Sequence, residues 1–83
     1  MTNLNLEIIS LGGIVFKGQC HLAVIPAANG AIGVMYDHES IITSLKEGKI
    51  EIFDDKQNLV KEFDVKGGFA EMHAAEKLVV LID

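Results

Sequence analysis

Apolar and polar residues alternate along much of the chain. Near its start, Leu4, Leu6 and Ile8 are separated by single polar residues, which places the three apolar side chains on one face of an extended strand. Similar short apolar runs, bounded by glycine, asparagine or charged residues, recur throughout the sequence and predict short β-strands joined by turns. These runs occupy residues 4–10, 14–16, 21–25, 32–35, 41–45, 49–53, 59–65, 69–73 and 78–82.

Three of these segments carry more specific expectations. Pro26 lacks the N–H of a strand ladder and is expected to close the strand at 21–25, and Asn29-Gly30 then predicts a hairpin turn. In the alternating segment 59–65, Lys61 falls on the inward-facing side. The continuous apolar run at 78–82 predicts a strand in the interior of a sandwich, with Leu81 in the core.

Composition supports an all-β fold. The apolar set is dominated by 10 isoleucines and 7 valines, whose β-branched side chains suit the pleated surface of a strand better than a helix. An antiparallel β-sandwich or barrel of short strands is therefore expected. The 83 residues contain no repeat and no linker-like tract, so residues 1–83 are expected to form a single domain.

Charge and hydropathy narrow the range of partners. Seven basic and twelve acidic residues give a net charge of −5, which argues against nucleic acid or an anionic membrane surface as a partner. No apolar run reaches the roughly 18 residues that a membrane helix needs, and residues 1–10 do not resemble a signal peptide. Cys20 is the only cysteine, so no intramolecular disulfide can form. We expect a protein or a small molecule as partner.

Nucleotide and metal motifs are incomplete. Gly13 and Gly18 have the outer spacing of a phosphate loop, but Gln19-Cys20 stands where that loop needs lysine and a hydroxyl residue. Residues 30–33 lack the third glycine of a dinucleotide fingerprint. Cys20 and His21 are adjacent, so on a strand they would point to opposite faces. The sequence predicts no catalytic, cofactor-binding or metal-binding residue.

The polar segment Asp37-His38-Glu39-Ser40 combines an acid, a base and a hydroxyl. A catalytic triad would also need an oxyanion hole and a pocket, which a small β domain rarely provides, so an enzyme using His38 with Asp37 or Glu39 ranks last among the hypotheses. His38 is interpreted either as a solvated loop residue or as a partner contact.

Several strands present apolar side chains to both faces. This holds for Ile8-Ile9, Ile14-Val15-Phe16, Val34-Met35-Tyr36 and Ile41-Ile42. The pattern indicates either strands covered on both sides or an apolar patch that binds a partner.

Residues 30–45, followed by Gly48, resemble the epsilon subunit of F-type ATP synthases, whose signature reads roughly Gly-x-Ile/Leu-Gly-Ile-x-Pro-x-His-Ala-Pro-Leu, then Leu and Gly. The similarity extends from about Leu4 to Asp83 and includes the glycine pair at 67–68. His38 keeps the signature histidine, whereas Tyr36 and Ser40 replace the family's prolines and Ala31 replaces an often acidic or polar residue.

The resemblance implies a β-sandwich of about ten strands without catalytic activity or cofactor. It implies a central-stalk subunit that binds the gamma subunit and the c-ring at the cytoplasmic face of a bacterial inner membrane, without inserting into it. The family's two-helix hairpin would begin just after Asp83, so the resemblance is to a short form. The alternative is a stand-alone β-barrel module for ligand or protein binding. The expected partner-contact residues are Ser10, Ala31, Met35, His38, Ile41 and Ile42.

Overall fold

The fold was analysed in a computed structural model, which describes residues 3–83. Residues 1 and 2 of the expected domain lie outside the described residues. Every regular element in residues 3–83 is a β-strand, which confirms the expected all-β class. The nine strands are β1 (Leu4–Ser10), β2 (Gly13–Cys20), β3 (Leu22–Ala27), β4 (Gly30–Met35), β5 (Ile42–Leu45), β6 (Gly48–Phe53), β7 (Leu59–Val65), β8 (Gly68–His73) and β9 (Lys77–Ile82).

The strands join into one hydrogen-bonded arrangement in the order β2-β1-β9-β8-β5-β3-β6-β7, with β4 paired to the other edge of β3. All pairs are antiparallel except β1 and β9, which run parallel with Leu6 beside Leu78. Pairing of the first strand with the last brings both ends of the chain into the same sheet.

The sheet curls so that its two terminal strands meet. Phe16 of β2 and Phe63 of β7 lie with their ring centroids 5.9 Å apart at an interplanar angle of 58°, a favourable tilted contact between aromatic rings. The enclosed side chains form one buried cluster, which is the hydrophobic core. Its members are Leu4, Leu6, Ile8, Cys20, Ala23, Ile25, Val34, Leu45, Ile50, Ile52, Val65, Ala70, Met72, Leu78 and Val80.

The predicted hairpin at Asn29-Gly30 is present. Ala27 pairs with Gly30 across the turn, and Gly30 has a φ of 131°, which glycine adopts more readily than other residues. The expectation that Pro26 closes the preceding strand is wrong, because β3 continues through Pro26 to Ala27.

The position of Pro26 explains why the strand tolerates it. Its carbonyl accepts a hydrogen bond from the Lys46 amide at 2.9 Å, so its nitrogen faces the junction between β5 and β6, where the ladder is interrupted. Gly48 lies against the proline ring: a Cβ added to Gly48 would sit 2.8 Å from the Pro26 Cβ. The close approach of the two residues requires glycine at 48.

Two further expectations have different outcomes. The apolar run at 78–82 does line the core through Leu78 and Val80 of β9, which are fully buried. The expectation that Leu81 lies in the core is wrong, since Leu81 is 51% exposed. Lys61 does pair with the buried Ile52 on the inward-facing side. It nevertheless reaches solvent, because β7 ends the sheet.

Candidate functional site

A continuous row of apolar side chains crosses the outer face of the sheet. Ile14 pairs with Ile9, which pairs with Leu81, which pairs with Phe69. Paired residues on neighbouring strands point to the same face, so the four side chains lie side by side across β2, β1, β9 and β8. Ile14, Leu81 and Phe69 are 60%, 51% and 59% exposed. We call these four residues the apolar row.

The same sheet face becomes polar towards its other end. The next outward-facing line of paired residues across the strands consists of Lys17, Glu7, Val79, Glu71 and Ile42. The line after it consists of Gln19, Asn5, Lys77 and His73. Ion pairs join Lys77 to Glu7 at 3.2 Å and His73 to Glu71 at 3.3 Å. Ile42, which is 77% exposed, extends the apolar surface onto β5.

The turn between β1 and β2 borders the apolar row. The Ser10 hydroxyl accepts a hydrogen bond from the Gly12 amide at 3.3 Å and donates one to the Gly13 carbonyl at 3.4 Å. Leu11 at the tip is fully exposed. Ser10 therefore shapes the turn that presents Leu11 beside the apolar row.

The His38 loop, residues 36–41, leads into the first residue of β5. It lies at the end of the strands opposite to the turn between β1 and β2. The Asp37 amide donates to the Ala75 carbonyl at 2.7 Å, and the His38 amide donates to the Met35 carbonyl at 3.2 Å. These bonds hold the loop where Tyr36 and Ser40 replace the family's prolines. The Nδ1 atom of His38 is 2.7 Å from the Glu39 carbonyl. Among residues 3–83, no hydrogen bond joins this ring to the side chain of Asp37 or Ser40, so the loop does not form a catalytic triad.

The six expected contact residues do not form one patch. Ser10 and Ala31 lie at the same end of the strands. At this end Gly68 pairs with both Ile82 and Leu45, and Ala27 pairs with both Leu45 and Gly30. Met35 and His38 lie at the opposite end. Ile42 shares the outer face with the apolar row, whereas Ile41 is half-buried against the core.

Sequence reasoning missed Phe69 and Leu81. The sequence pattern places both in strands and names neither as a contact residue, and it puts Leu81 in the core. The signal was present: the two positions are equally far from the turn at 74–76, so a hairpin there pairs them, as the structure does. Alternation with Glu71 and His73 also puts Phe69 on the polar face of its strand, whereas the exposed face of Leu81 could not be read from 78–82, a run that is apolar throughout.

Titratable groups do not assemble into a reaction centre. In the described chain, no group of three His, Cys, Asp or Glu side chains is placed to hold a metal ion. Burial raises the pKa of the Cys20 thiol from 9.0 to about 11, so the thiol is neutral. Hydrogen bonds from the Asn58 and Lys56 amides lower the pKa of Asp54, which closes an exposed turn.

Residues 3–83 match the model of the ATP synthase, Delta/Epsilon chain, beta-sandwich domain. The chain belongs to this family. The match confirms both the resemblance and the β-sandwich class, with nine strands in place of about ten and one parallel pair.

Relatives are named as epsilon chains. The chain is 31% identical over 83 residues to the ATP synthase epsilon chain of Caulobacter vibrioides, covering all of this chain and 93% of that one. It is 35% identical over 72 residues to that of Parvibaculum lavamentivorans, covering 87% of this chain and 54% of the relative. These names confirm the expectation of an epsilon-type chain rather than a catalytic subunit.

Solved structures share the fold at low sequence identity. A chain of the Euglena gracilis mitochondrial ATP synthase assembly of OSCP, F1 and c-ring superimposes with a TM-score of 0.87 at 17% identity, covering 99% of this chain and 51% of that one. A chain of the Tetrahymena thermophila central stalk and c-ring gives 0.78 at 11% identity, covering 95% and 62%. Within residues 3–83 there is no helix that could cross a membrane.

Proposed function

We propose that this epsilon-type chain is a rotor subunit of an F-type ATP synthase that links the gamma subunit to the c-ring. In this proposal the gamma subunit covers the outer face with the apolar row, between Ser10 at one end and His38 at the other. The c-ring contacts the strand end that carries Ala31. The chain would be peripheral to the cytoplasmic face of a bacterial membrane.

The observation that carries the proposal is that the apolar row is open to solvent although the core is already filled. Leu6, Ile8 and Val80, on the inner side of the same strands, are at most 1% exposed. The exposed Phe69 and Leu81 therefore do not compensate for a missing core. Contiguous exposed apolar surface of this kind is typical of a protein interface, and a filled interior does not favour a ligand-binding barrel.

The breadth of the outer face fits a protein partner. The outer face spans five strands from β2 to β5, and a strand spacing of about 4.8 Å makes it roughly 19 Å wide. Lys17, Glu7 and Glu71 border the apolar row on one side. Apolar residues edged by polar ones are the usual anatomy of a protein interface.

Ala31 supports a separate contact with the ring. It is exposed on β4, next to the two-residue turn Ala28-Asn29, and residues 26–36 carry no charged side chain. We infer that the Ala31 side chain and the turn at 28–29 contact loops of the c-ring, without the acidic or polar side chain often present in the family at this position.

Copurification tests this function. The chain, carrying an affinity tag, is expressed in its own cells in place of the native copy, and the detergent-solubilised complex is purified. The gamma subunit and c-ring should be recovered together, and proton-driven ATP synthesis in reconstituted vesicles should depend on the chain. Recovery of neither subunit, together with unchanged synthesis in its absence, would contradict the proposal.

A further inference from the structure

In the part of the chain that the structure describes, residues 3–83, three strands have a single neighbour along their length and so present a free edge: β2, β7 and β4. Two of these edges carry features that discourage strand addition. Strand β2 contains Lys17 and a bulge at its pairing with Ile8 and Ile9, while β7 carries Lys61, Glu62 and Asp64 and a bulge opposite Ile52 and Phe53. Charges and bulges on edge strands prevent pairing with other chains.

Strand β4 has none of these features. Its sequence, Gly-Ala-Ile-Gly-Val-Met, lacks charge and proline, and its six pairs with β3 run without a register shift. It is the one free edge, among the strands of residues 3–83, that is regular and unprotected. An edge of this kind is a template for another strand.

The free hydrogen-bonding groups on this edge follow from the pairing. Pro26 has no N–H and its carbonyl bonds to Lys46, on the side away from β4, so the Pro26–Ala31 pair is not hydrogen-bonded. Such pairs alternate with hydrogen-bonded ones, which makes Ala27–Gly30 and Ile25–Ile32 the bonded pairs. The N–H and C=O groups of Ala31 and Gly33 therefore point outward from the sheet.

We propose that β4 accepts an extended strand of the gamma subunit, which adds to the sheet through the backbone groups of Ala31 and Gly33. This inference rests on the proposed function and adds a backbone contact to the side-chain contact of the apolar row. Ala31 and Gly33 are small and exposed, so larger side chains of the added strand can lie over them.

Charge and position favour the gamma strand over a second copy of this chain. Two copies would each bring a net charge of −5 to the contact, and like charges disfavour self-association. Strand β4 also runs from one end of the proposed contact surface to the other. Ala31 lies near its start, and Met35, its last residue, leads into the His38 loop. A partner that binds the surroundings of His38 is therefore next to this edge.

Residue-resolved hydrogen exchange tests the inference on the full chain, free and in complex with the gamma subunit. In the free chain the Ala31 and Gly33 amides should exchange rapidly, while the Ile32 and Val34 amides are protected by β3. In the complex, exchange at Ala31 and Gly33 should slow on the order of 100-fold, because it then requires opening of a bonded strand.

A complex in which Ala31 and Gly33 exchange as in the free chain would overturn strand addition while leaving the proposed function intact. Failure to form any complex would overturn both. Protection of these amides in a homodimer of the free chain, detected by sedimentation, would assign the edge to a second copy and contradict the inference.

Substitution at one position provides a matched pair. Gly33→Pro removes the outward N–H without removing a bond to β3, and should weaken gamma binding by on the order of tenfold or more. Gly33→Ala keeps the N–H, and its added Cβ meets only the flexible end of Leu22 at 3.3 Å, so it should bind like the wild type. Equal affinities for the two variants, with both folded by thermal unfolding, would contradict the inference.

Discussion

Phe69 and Leu81 face each other across the antiparallel pair of β8 and β9, and each exposes more than half of its surface. Directly beside this pair, Gly68 lies against the backbone of Leu81, where an added Cβ would be 1.9 Å from the carbonyl oxygen. The close contact of Gly68 with β9 thus fixes the register that places the two exposed side chains together. Cross-strand pairs of this type hold an apolar surface in a defined shape.

Gly68→Ala should destabilise the fold by more than about 3 kcal/mol or prevent folding, since it combines backbone strain with a direct overlap. Gly68 has a φ of 138°. Gly13→Ala is the matched control, because Gly13 has a φ of 126° but no heavy atom within 4 Å of the added Cβ. It should cost only about 1–2 kcal/mol of strain. Urea unfolding of both variants checks the difference, and equal losses would refute the role of the Leu81 contact.

Optimising the turn between β8 and β9 should stabilise the chain. Ala74 and Ala75 have φ values of 54° and 62°, in the left-handed region that costs an alanine roughly 1 kcal/mol relative to glycine or asparagine. The double variant Ala74→Asn, Ala75→Gly should therefore raise the free energy of unfolding by about 1–2 kcal/mol. Ala28→Gly, in a turn position without positive φ, should be neutral or destabilising. An unchanged or lowered stability of the double variant would contradict the turn geometry.

The buried Cys20 thiol should make stability fall in alkaline solution. Burial raises its pKa from 9.0 to about 11 in the folded chain, so between these values the unfolded state loses the proton first and is stabilised. Well below pH 9 the thiol is protonated in both states and contributes no pH dependence. Subtracting the unfolding free energy of Cys20→Ala, measured over the same range, should isolate a decline from pH 9 to 11. A constant difference between the two proteins would refute the shift.

Substitutions in and beside the His38 loop should weaken assembly and leave the fold nearly intact. Met35 is exposed and His38 is half-buried in a polar loop, and changes outside the core usually alter stability by about 0.5 kcal/mol or less. Met35→Asp and His38→Glu should therefore keep their melting temperatures but bind the gamma subunit less tightly and lower coupled ATP synthesis. Lys61→Gln on β7 is the control, because it also makes the net charge of the chain more negative by one. It should bind the gamma subunit like the wild type. Wild-type binding and coupling by His38→Glu would remove this loop from the contact.

Local sequence pattern predicted the strands well because alternation and turn residues act over a few positions. The hairpin at Asn29-Gly30 and the strand at 59–65 show this. The parallel pairing of β1 with β9 joins residues more than 70 positions apart, for which no local signal exists. The resemblance supplied Ser10 and His38, but only the strand pairing showed that they lie at opposite ends of a shared surface. The exposure of Leu81 depends on which face the neighbouring elements leave open.

The most direct test of the apolar row as the gamma contact is equilibrium binding of the purified gamma subunit to Leu81→Asp and Val60→Asp. The two positions match in exposure, 51% and 58%, but Val60 lies on β7, which carries no residue of the row. A leucine buried at an interface contributes about 1.5–3 kcal/mol, so Leu81→Asp should weaken binding by roughly 10- to 100-fold or more. Val60→Asp should bind like the wild type. Wild-type affinity of Leu81→Asp, or an equal loss in both variants, would contradict the account.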